Sequence, residues 1–329
     1  MVVTGDMRME RFEYTAVIRT LGTAGAKYQQ LLDSLQAQTA APHAILVYIA
    51  EGYPLPKETI GTERYIYVKK GMVAQRALPY DEVETEWMLF LDDDVYLPPK
   101  AVETLYVQLQ EKEADVVSPD VFPNAKRPFA AELLMTLSGR MRARRGDKKW
   151  GYKVMRTAGY SYNANPIQPT YCSQTNAGPC FFCRKNAFLN IHFEEELWMD
   201  EQKYALGDDQ VMFYKMHLKG LKILTSYNSG ILHLDAGASR IQEKEKNIIY
   251  SDFRFKTIFW HRFVYSPETY IFLKLWDIIC IIYALGFTIS ISLIKGQWDI
   301  YKLKIKAISD GIRFIRSEEY KRISKVINR

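Results

Sequence analysis

Three consecutive carboxylates, Asp92, Asp93 and Asp94, follow the apolar run at 87–91. Side by side such groups repel one another, and a hard divalent cation is what commonly makes the crowding tolerable. In open α/β sheets ligands bind beyond the carboxyl ends of the strands, where this triplet falls, and a cation there would clamp a diphosphate. Farther along, Gly207-Asp208-Asp209 opens a helical pattern. One of its carboxylates can cap the helix, and the other, Asp209, can take a proton from an acceptor hydroxyl as a general base. His233 is a candidate further cation ligand, a neutral nitrogen donor that suits Mn²⁺ better than Mg²⁺, with Asp235 placed to orient its imidazole. An acidic turn, a helix cap and a core histidine are the structural alternatives for these features.

The elements that must position them alternate. Strands are expected at 14–20, 44–50, 64–68, 87–91 and 115–121, with a helix at 27–38 whose Tyr28, Leu31, Leu32 and Leu35 share one face. A second helix opens after Pro98 and Pro99 and turns Val102, Leu105, Tyr106 and Leu109 inward. Such βαβ alternation predicts an α/β fold with a mostly parallel central sheet flanked by helices. Residues 124–170 lack clear periodicity and hold a basic cluster at 140–149, so a long loop or insertion is expected there. Order resumes with a strand at 178–184, a helix at 208–218 closed by Gly220, and a strand at 221–225.

Taken in order, these motifs resemble the inverting family 2 glycosyltransferases, whose catalytic domain has the A-type glycosyltransferase, or nucleotide-diphospho-sugar transferase, fold. The first strand ends in Val17-Ile18-Arg19-Thr20, where the family often has a Pro-Thr-Tyr-Asn type stretch, and the second ends in Glu51-Gly52, where it has a carboxylate for the nucleotide base. Residues 71–77 resemble its G-x-x-x-A-R-N motif, keeping Gly71 and Arg76 but carrying Gln75 and Ala77. Asp92-Asp93-Asp94 resembles its D-x-D metal motif, and the strand at 178–184 followed by Gly207-Asp208-Asp209 resembles its acceptor-side pattern. The resemblance implies donor contacts from Thr20, Glu51, Arg76, Asp92 and Asp93, a Mn²⁺ or Mg²⁺ ion on Asp94 and His233, and Asp209 as the base. It also implies a nucleotide-diphospho-sugar donor and a glycan acceptor of a bacterial cell envelope. The expected domains are a polar extension at 1–12, a catalytic domain at 13–240 with donor half 13–121 and acceptor half 122–240, and a helical region at 241–329.

A net charge of +6 hides a division along the chain, because residues 295–329 hold ten Lys/Arg against four Asp/Glu and the rest is neutral. With the apolar stretch 275–294 ahead of it, that tail suits a membrane surface rather than nucleic acid. Tyr301, Ile305, Ile308, Ile312 and Ile315 fall on one helical face, the pattern of an interfacial helix. A single crossing would carry the basic tail away from the compartment of the catalytic domain, so a re-entrant or in-plane helix is expected over a span. Residues 253–265, rich in aromatic and basic side chains, suit the headgroup level or an ordinary packed helix. The expected location is the cytoplasmic face of the cell membrane, with 270–329 on its surface and a lipid-linked acceptor whose phosphates residues 140–149 could meet. Cys180 and Cys183 form a C-x-x-C without a second ligand pair, and a polar start with no signal peptide agrees with a reducing compartment. Two rival functions are a metal-dependent nucleotidyltransferase, which lacks a glycine-rich basic loop here, and a catalytically silent glycan-binding scaffold, which need not keep both acidic motifs.

Overall fold

Strands covered on both faces need apolar side chains at every position, which is why these strands read as continuous apolar runs. The structure, a computed structural model, describes residues 12–121, 128–202, 206–234 and 242–326. Asp235 and the extension at 1–11 lie outside the described residues.

The first part of the chain builds β1 (Tyr14–Thr20), α1 (Ala26–Gln36), β2 (Ala44–Ala50), β3 (Glu63–Val68) and β4 (Trp87–Asp92). These strands lie parallel in the order β3-β2-β1-β4. A two-residue strand, β5 (Val95–Tyr96), follows at once, then α2 (Ala101–Glu111) and β6 (Val116–Pro119). Next come α3 (Phe129–Leu137), β7 (Met141–Arg144), β8 (Tyr152–Val154) and β9 (Tyr160–Asn163). The last three form a separate sheet in the order β7-β9-β8. Residues 128–163 are therefore a built subdomain, an insertion and not a long loop, the two alternatives expected there. Its strands are only three or four residues long and stay half-exposed, so no periodic apolar signal marks them.

β10 (Thr170–Ser173) and β11 (Cys180–Arg184) return to the main sheet, followed by α4 (Lys185–Leu189), a 3-10 segment at Phe193–Glu201, α5 (Asp208–Leu218), β12 (Ile223–Ser226) and β13 (Leu232–His233). The eight-stranded sheet runs β10-β12-β6-β11-β4-β1-β2-β3, with β11 antiparallel to both neighbours and β10 antiparallel to β12. Ala16, Ile18, Leu89, Leu91, Cys180 and Phe182 pack on one face beneath Leu31 and Leu32 of α1 and Val102 and Leu105 of α2. Val17, Phe90, Phe181 and Cys183 pack on the other with Val211 and Phe213 of α5. The C-x-x-C thiols thus stand on opposite faces of the sheet, where burial pushes both well above the usual thiol range.

The chain ends in α6 (Gln242–Phe259), a π-helical turn at Trp260–Tyr265, α7 (Ile271–Ile294), α8 (Trp298–Ile315) and α9 (Glu318–Arg322). Phe255, Phe259 and Phe263, four residues apart, are buried in the same core as β4 and β11. Residues 253–265 are therefore an interior helix and do not reach a headgroup layer. A buried ion cluster fastens this helix to the domain. Arg262 donates to Glu196 at 2.6 Å, Lys215 donates to the same carboxylate at 3.0 Å, and Trp198 Nε1 closes the set at 2.8 Å.

Burial works to raise the Glu196 carboxyl, but the hydrogen bond and charge of Arg262 and the charge of Lys215 outweigh it and hold the group below the usual range. Its contribution is consequently present above the ordinary carboxylate pKa and is lost as pH falls through the lower folded value. Glu196→Ala strips Arg262 of its close carboxylate and leaves Lys215 with Glu195 at 2.6 Å, and is expected to cost about 3 kcal/mol in urea unfolding at neutral pH, the low end for breaking a buried pair. A smaller loss than from an exposed surface pair would show that the cluster carries no stability.

Candidate active site

The site lies at the carboxyl edge of the sheet and is built from both halves of the chain. β4 ends at Asp92 beside the end of β1, so their register sets Asp92 opposite Arg19. Arg19 grips the Asp92 carboxylate with Nε and Nη2, the latter at 3.0 Å. Thr20 donates to Asp93 Oδ2, and its own hydroxyl accepts from the Gly22 amide at 2.8 Å. After the triplet the chain pairs β5 with β13, and Leu234 N donates to Asp94 O at 2.8 Å. That short ladder is what brings His233 in, with Nε2 3.0 Å from Asp94 Oδ2.

Behind this edge Arg76 is buried and joins the two acidic motifs. Its Nη2 donates to Asp92 Oδ1 at 3.3 Å and to the Gly178 carbonyl at 2.6 Å. Its Nη1 donates to Asp209 Oδ1 at 2.6 Å and Asp208 Oδ2 at 3.1 Å. A Cβ on Gly178 would lie 2.0 Å from Asp209 Oδ1 and would push that carboxylate off Arg76. α5 starts at Asp208, placing that buried carboxylate at the positive end of a helix and between Arg19 and Arg76.

The electrostatics sort these acids. Burial alone would raise Asp92, but the Arg19 and Arg76 charges hold it below the usual range. Burial, opposed by the Thr20 hydrogen bond and reinforced by its acidic neighbours, pushes Asp93 up to about 6. Burial and then the adjacent Asp209 charge push Asp208 up to about 6 against the pull of both arginines.

A cavity of about 640 Å³ opens in front of the triplet, lined by Arg19, Thr20, Lys27, Lys70, Gly71, all three aspartates, Asp200 and His233. Carboxylates and three cations share this lining, which suits a cation together with a diphosphate. Sequence reasoning put Thr20, Asp92, Asp93, Asp94 and His233 together here, and the structure does the same. Glu51 is solvent-exposed at the end of β2 and is not on this wall. Arg76 also stays off the wall, because its guanidinium is consumed by the carboxylates beneath it. Asp209 stands beyond Arg76, half-exposed, outside the cavity lining.

Four cavity residues were missed. Arg19 had a signal, a cation at the end of an otherwise apolar strand. Lys27, Lys70 and Asp200 had none, since only the fold turns them toward the triplet. Asp200 accepts from Val73 N and Ala74 N, both at 2.9 Å, and so holds the turn that presents Gly71 and Arg76. A Cβ on Gly71 would meet Asp200 Oδ2 at 2.2 Å, which explains the glycine.

Asp94 fits a cation. It is buried, and its Oδ1 has no hydrogen-bond partner among the described residues while Oδ2 faces His233. An oxygen left unsatisfied at a cavity wall is costly unless something binds it. Among the described residues no three His, Cys, Asp or Glu side chains converge as a preformed metal cage, so a cation here would draw its remaining ligands from solvent or substrate.

A mostly parallel sheet with this acidic edge, flanked by helices and followed by an apolar C-terminal helix, is the A-type glycosyltransferase fold. No protein-family model matches the chain, and no curated protein matches it in sequence. Among solved structures it is similar to GalNAc-T7 with UDP, GalNAc and Mn²⁺, at 12% identity and a TM-score of 0.51, over 84% of this chain and 56% of that one. It is also similar to S. aureus TarS, residues 1–349, at 14% identity and a TM-score of 0.52, over 92% of this chain and 80% of that one. This chain thus spans little more than half the length of the GalNAc-T7 chain. Both neighbours are glycosyltransferases, and likeness at such identities establishes the fold.

Asp200→Ala frees two backbone N–H groups and is expected to destabilise the 71–76 turn by about 1 kcal/mol, the scale of a lost cap. Amide hydrogen exchange at Val73 and Ala74 should accelerate severalfold while the sheet stays protected. Unchanged exchange at those two amides would remove Asp200 from this role.

Proposed function

We propose that this chain is an inverting, metal-dependent family 2 glycosyltransferase that moves a sugar from a nucleotide-diphosphate donor to a hydroxyl of a lipid-linked or cell-envelope glycan. One observation carries the reading. Two acidic motifs more than a hundred residues apart meet across a single buried guanidinium, Arg76, beside a cavity with three cations on its wall. A nucleotidyltransferase has no use for the second motif.

Inverting transfer is one in-line displacement at the sugar carbon, so the protein must align two substrates, oppose the charge of the departing diphosphate and accept one proton. Asp209 accepts the acceptor hydroxyl proton as the new C–O bond forms and the bond to the diphosphate breaks. Arg76 holds its Oδ1 and so fixes the orientation of the carboxylate. Lys27, Lys70 and Arg19 line the cavity and oppose the phosphate charge, and Thr20 and Asp93, on the same wall, contact the nucleotide. Asp94 and His233 would hold Mn²⁺ or Mg²⁺, which when bound supplies positive charge to the diphosphate. Asp92, occupied by two arginines, acts as the anchor of the edge. The acceptor side places the enzyme on a membrane surface through residues 270–329, at the cytoplasmic face where nucleotide sugars are made.

Thermal unfolding with UDP, GDP, CMP and dTDP, each with and without Mn²⁺, tests the donor half. One nucleotide is expected to raise the melting temperature only when the cation is present, and no response from any would favour the silent scaffold. Asp94→Ala should abolish that cation-dependent response. Asp209→Asn should keep it while lowering transfer by on the order of 10² to 10⁴, the range for losing a general base. Transfer at the wild-type rate would assign the base elsewhere.

A further inference from the structure

α3, in the acceptor half, is a helix without an interior face. None of its residues is buried, and Phe129, Ala130, Leu133, Leu134 and Leu137 share one exposed side, Phe129 at 80%. Its one charged residue, Glu132, is paired with Arg145 at 2.8 Å. An apolar stripe of this kind marks a surface that meets something other than water. Just past its end, Gly139 stands against α7, where an added Cβ would lie 3.0 Å from Ala284 Cβ. α7 is itself long and apolar enough to cross a membrane, and it exposes Phe272, Trp276, Ile279 and Ile282.

α7 is nevertheless fastened lengthwise to the protein. The buried Asp277 carboxylate accepts from Arg156, and the Asp277 carbonyl accepts from Trp260 Nε1 at 3.1 Å. Farther along, Lys304 of α8 donates to Thr288 O at 2.9 Å and Ser292 Oγ at 2.8 Å. Crossing a bilayer would strip these partners and carry a carboxylate into hydrocarbon, which is expensive. The helix therefore offers its outer face while its inner face stays on the domain.

Charge identifies the partner. Arg140, Arg142, Arg145, Lys148 and Lys149, all exposed, follow α3 directly, and Lys274 and Lys295 bracket the apolar stretch of α7. Apolar side chains beside an excess of exposed cations suit an anionic lipid surface, where the apolar groups enter the headgroup boundary and the cations meet phosphates.

We propose that α3 and α7 form one membrane-docking face on an anionic bilayer, so that the acceptor half rests on the lipid surface together with the C-terminal helices. The proposal rests on the membrane part of the functional reading and not on its chemistry.

Flotation of the chain with phosphatidylcholine vesicles, with and without phosphatidylglycerol, tests it. The wild type is expected to float with the anionic vesicles. Paired Leu133→Ser and Leu134→Ser should weaken that partition about tenfold, as should paired Ile279→Ser and Ile282→Ser. Because these side chains are exposed, melting temperatures and the nucleotide response should stay at wild-type values. An α3 variant that floats like the wild type would take α3 off the bilayer and overturn the proposal. Equal partition onto neutral vesicles would overturn its electrostatic part. A wild type that ignores all vesicles would end the membrane reading as well, and the nucleotide response would still judge the transferase reading separately.

Discussion

Arg76 and Arg19 make this site possible. Asp92, Asp208 and Asp209 crowd together at the edge of a cavity, Asp208 almost wholly removed from water, and unpaired carboxylates there would repel one another and lose hydration. Two planar guanidinium groups, each reaching several oxygens at once, resolve the conflict in a way that the compact charge of lysine would not. Because Arg19 comes from β1, Asp92 from β4, Arg76 from the turn at 71–76 and the other acids from the start of α5, satisfying these charges also locks four segments into one edge. The Gly178 carbonyl, received by Arg76, adds a fifth segment and leaves no room for a side chain at that position.

The consequence is a division of labour among acids that look equivalent in sequence. Asp92 is neutralised by arginines and held ionised, Asp93 is hydrogen-bonded by Thr20 and shifted upward, and Asp94 alone keeps an unsatisfied oxygen at the cavity beside an imidazole. Of the two acids that open α5, Asp208 is interior and Asp209 half-exposed. The buried acid organises the two arginines, and its half-exposed neighbour keeps one side open to solvent. The fold supplies both by rotating neighbours along a helix start.

On the face of the sheet that α5 covers, the C-terminal helices are joined to the core of the domain. The Glu196 cluster and the row Phe255, Phe259 and Phe263 leave no seam between α6 and the domain, so α7 and α8 are carried on a rigid support. The predicted apolar row of α8 is only partly covered, and with α7 it lines an apolar groove of about 900 Å³. Its inward face consists of Ala307, Gly311 and Phe314, of which the first two are small enough to allow a close approach to α6.

By itself the sequence determined the parallel strands, the helices α1, α2 and α5, and the presence of two acidic motifs, because periodicity and runs of apolar residues record burial directly. It also placed Thr20 and the Asp92–94 triplet at one site, since strand ends of a parallel sheet converge on one edge, and His233 with them, which the antiparallel β5–β13 ladder delivers. Tertiary structure alone decided which acids are caged and which are available, that Arg76 looks inward, that Glu51 lies off the cavity, and that Lys27, Lys70 and Asp200 belong to it. It also decided that residues 128–163 form a subdomain whose one helix stays on the surface. The physical reason is common to all of these: charge pairing and exposure depend on which side chains meet across long sequence separations, and a local pattern holds no record of such meetings.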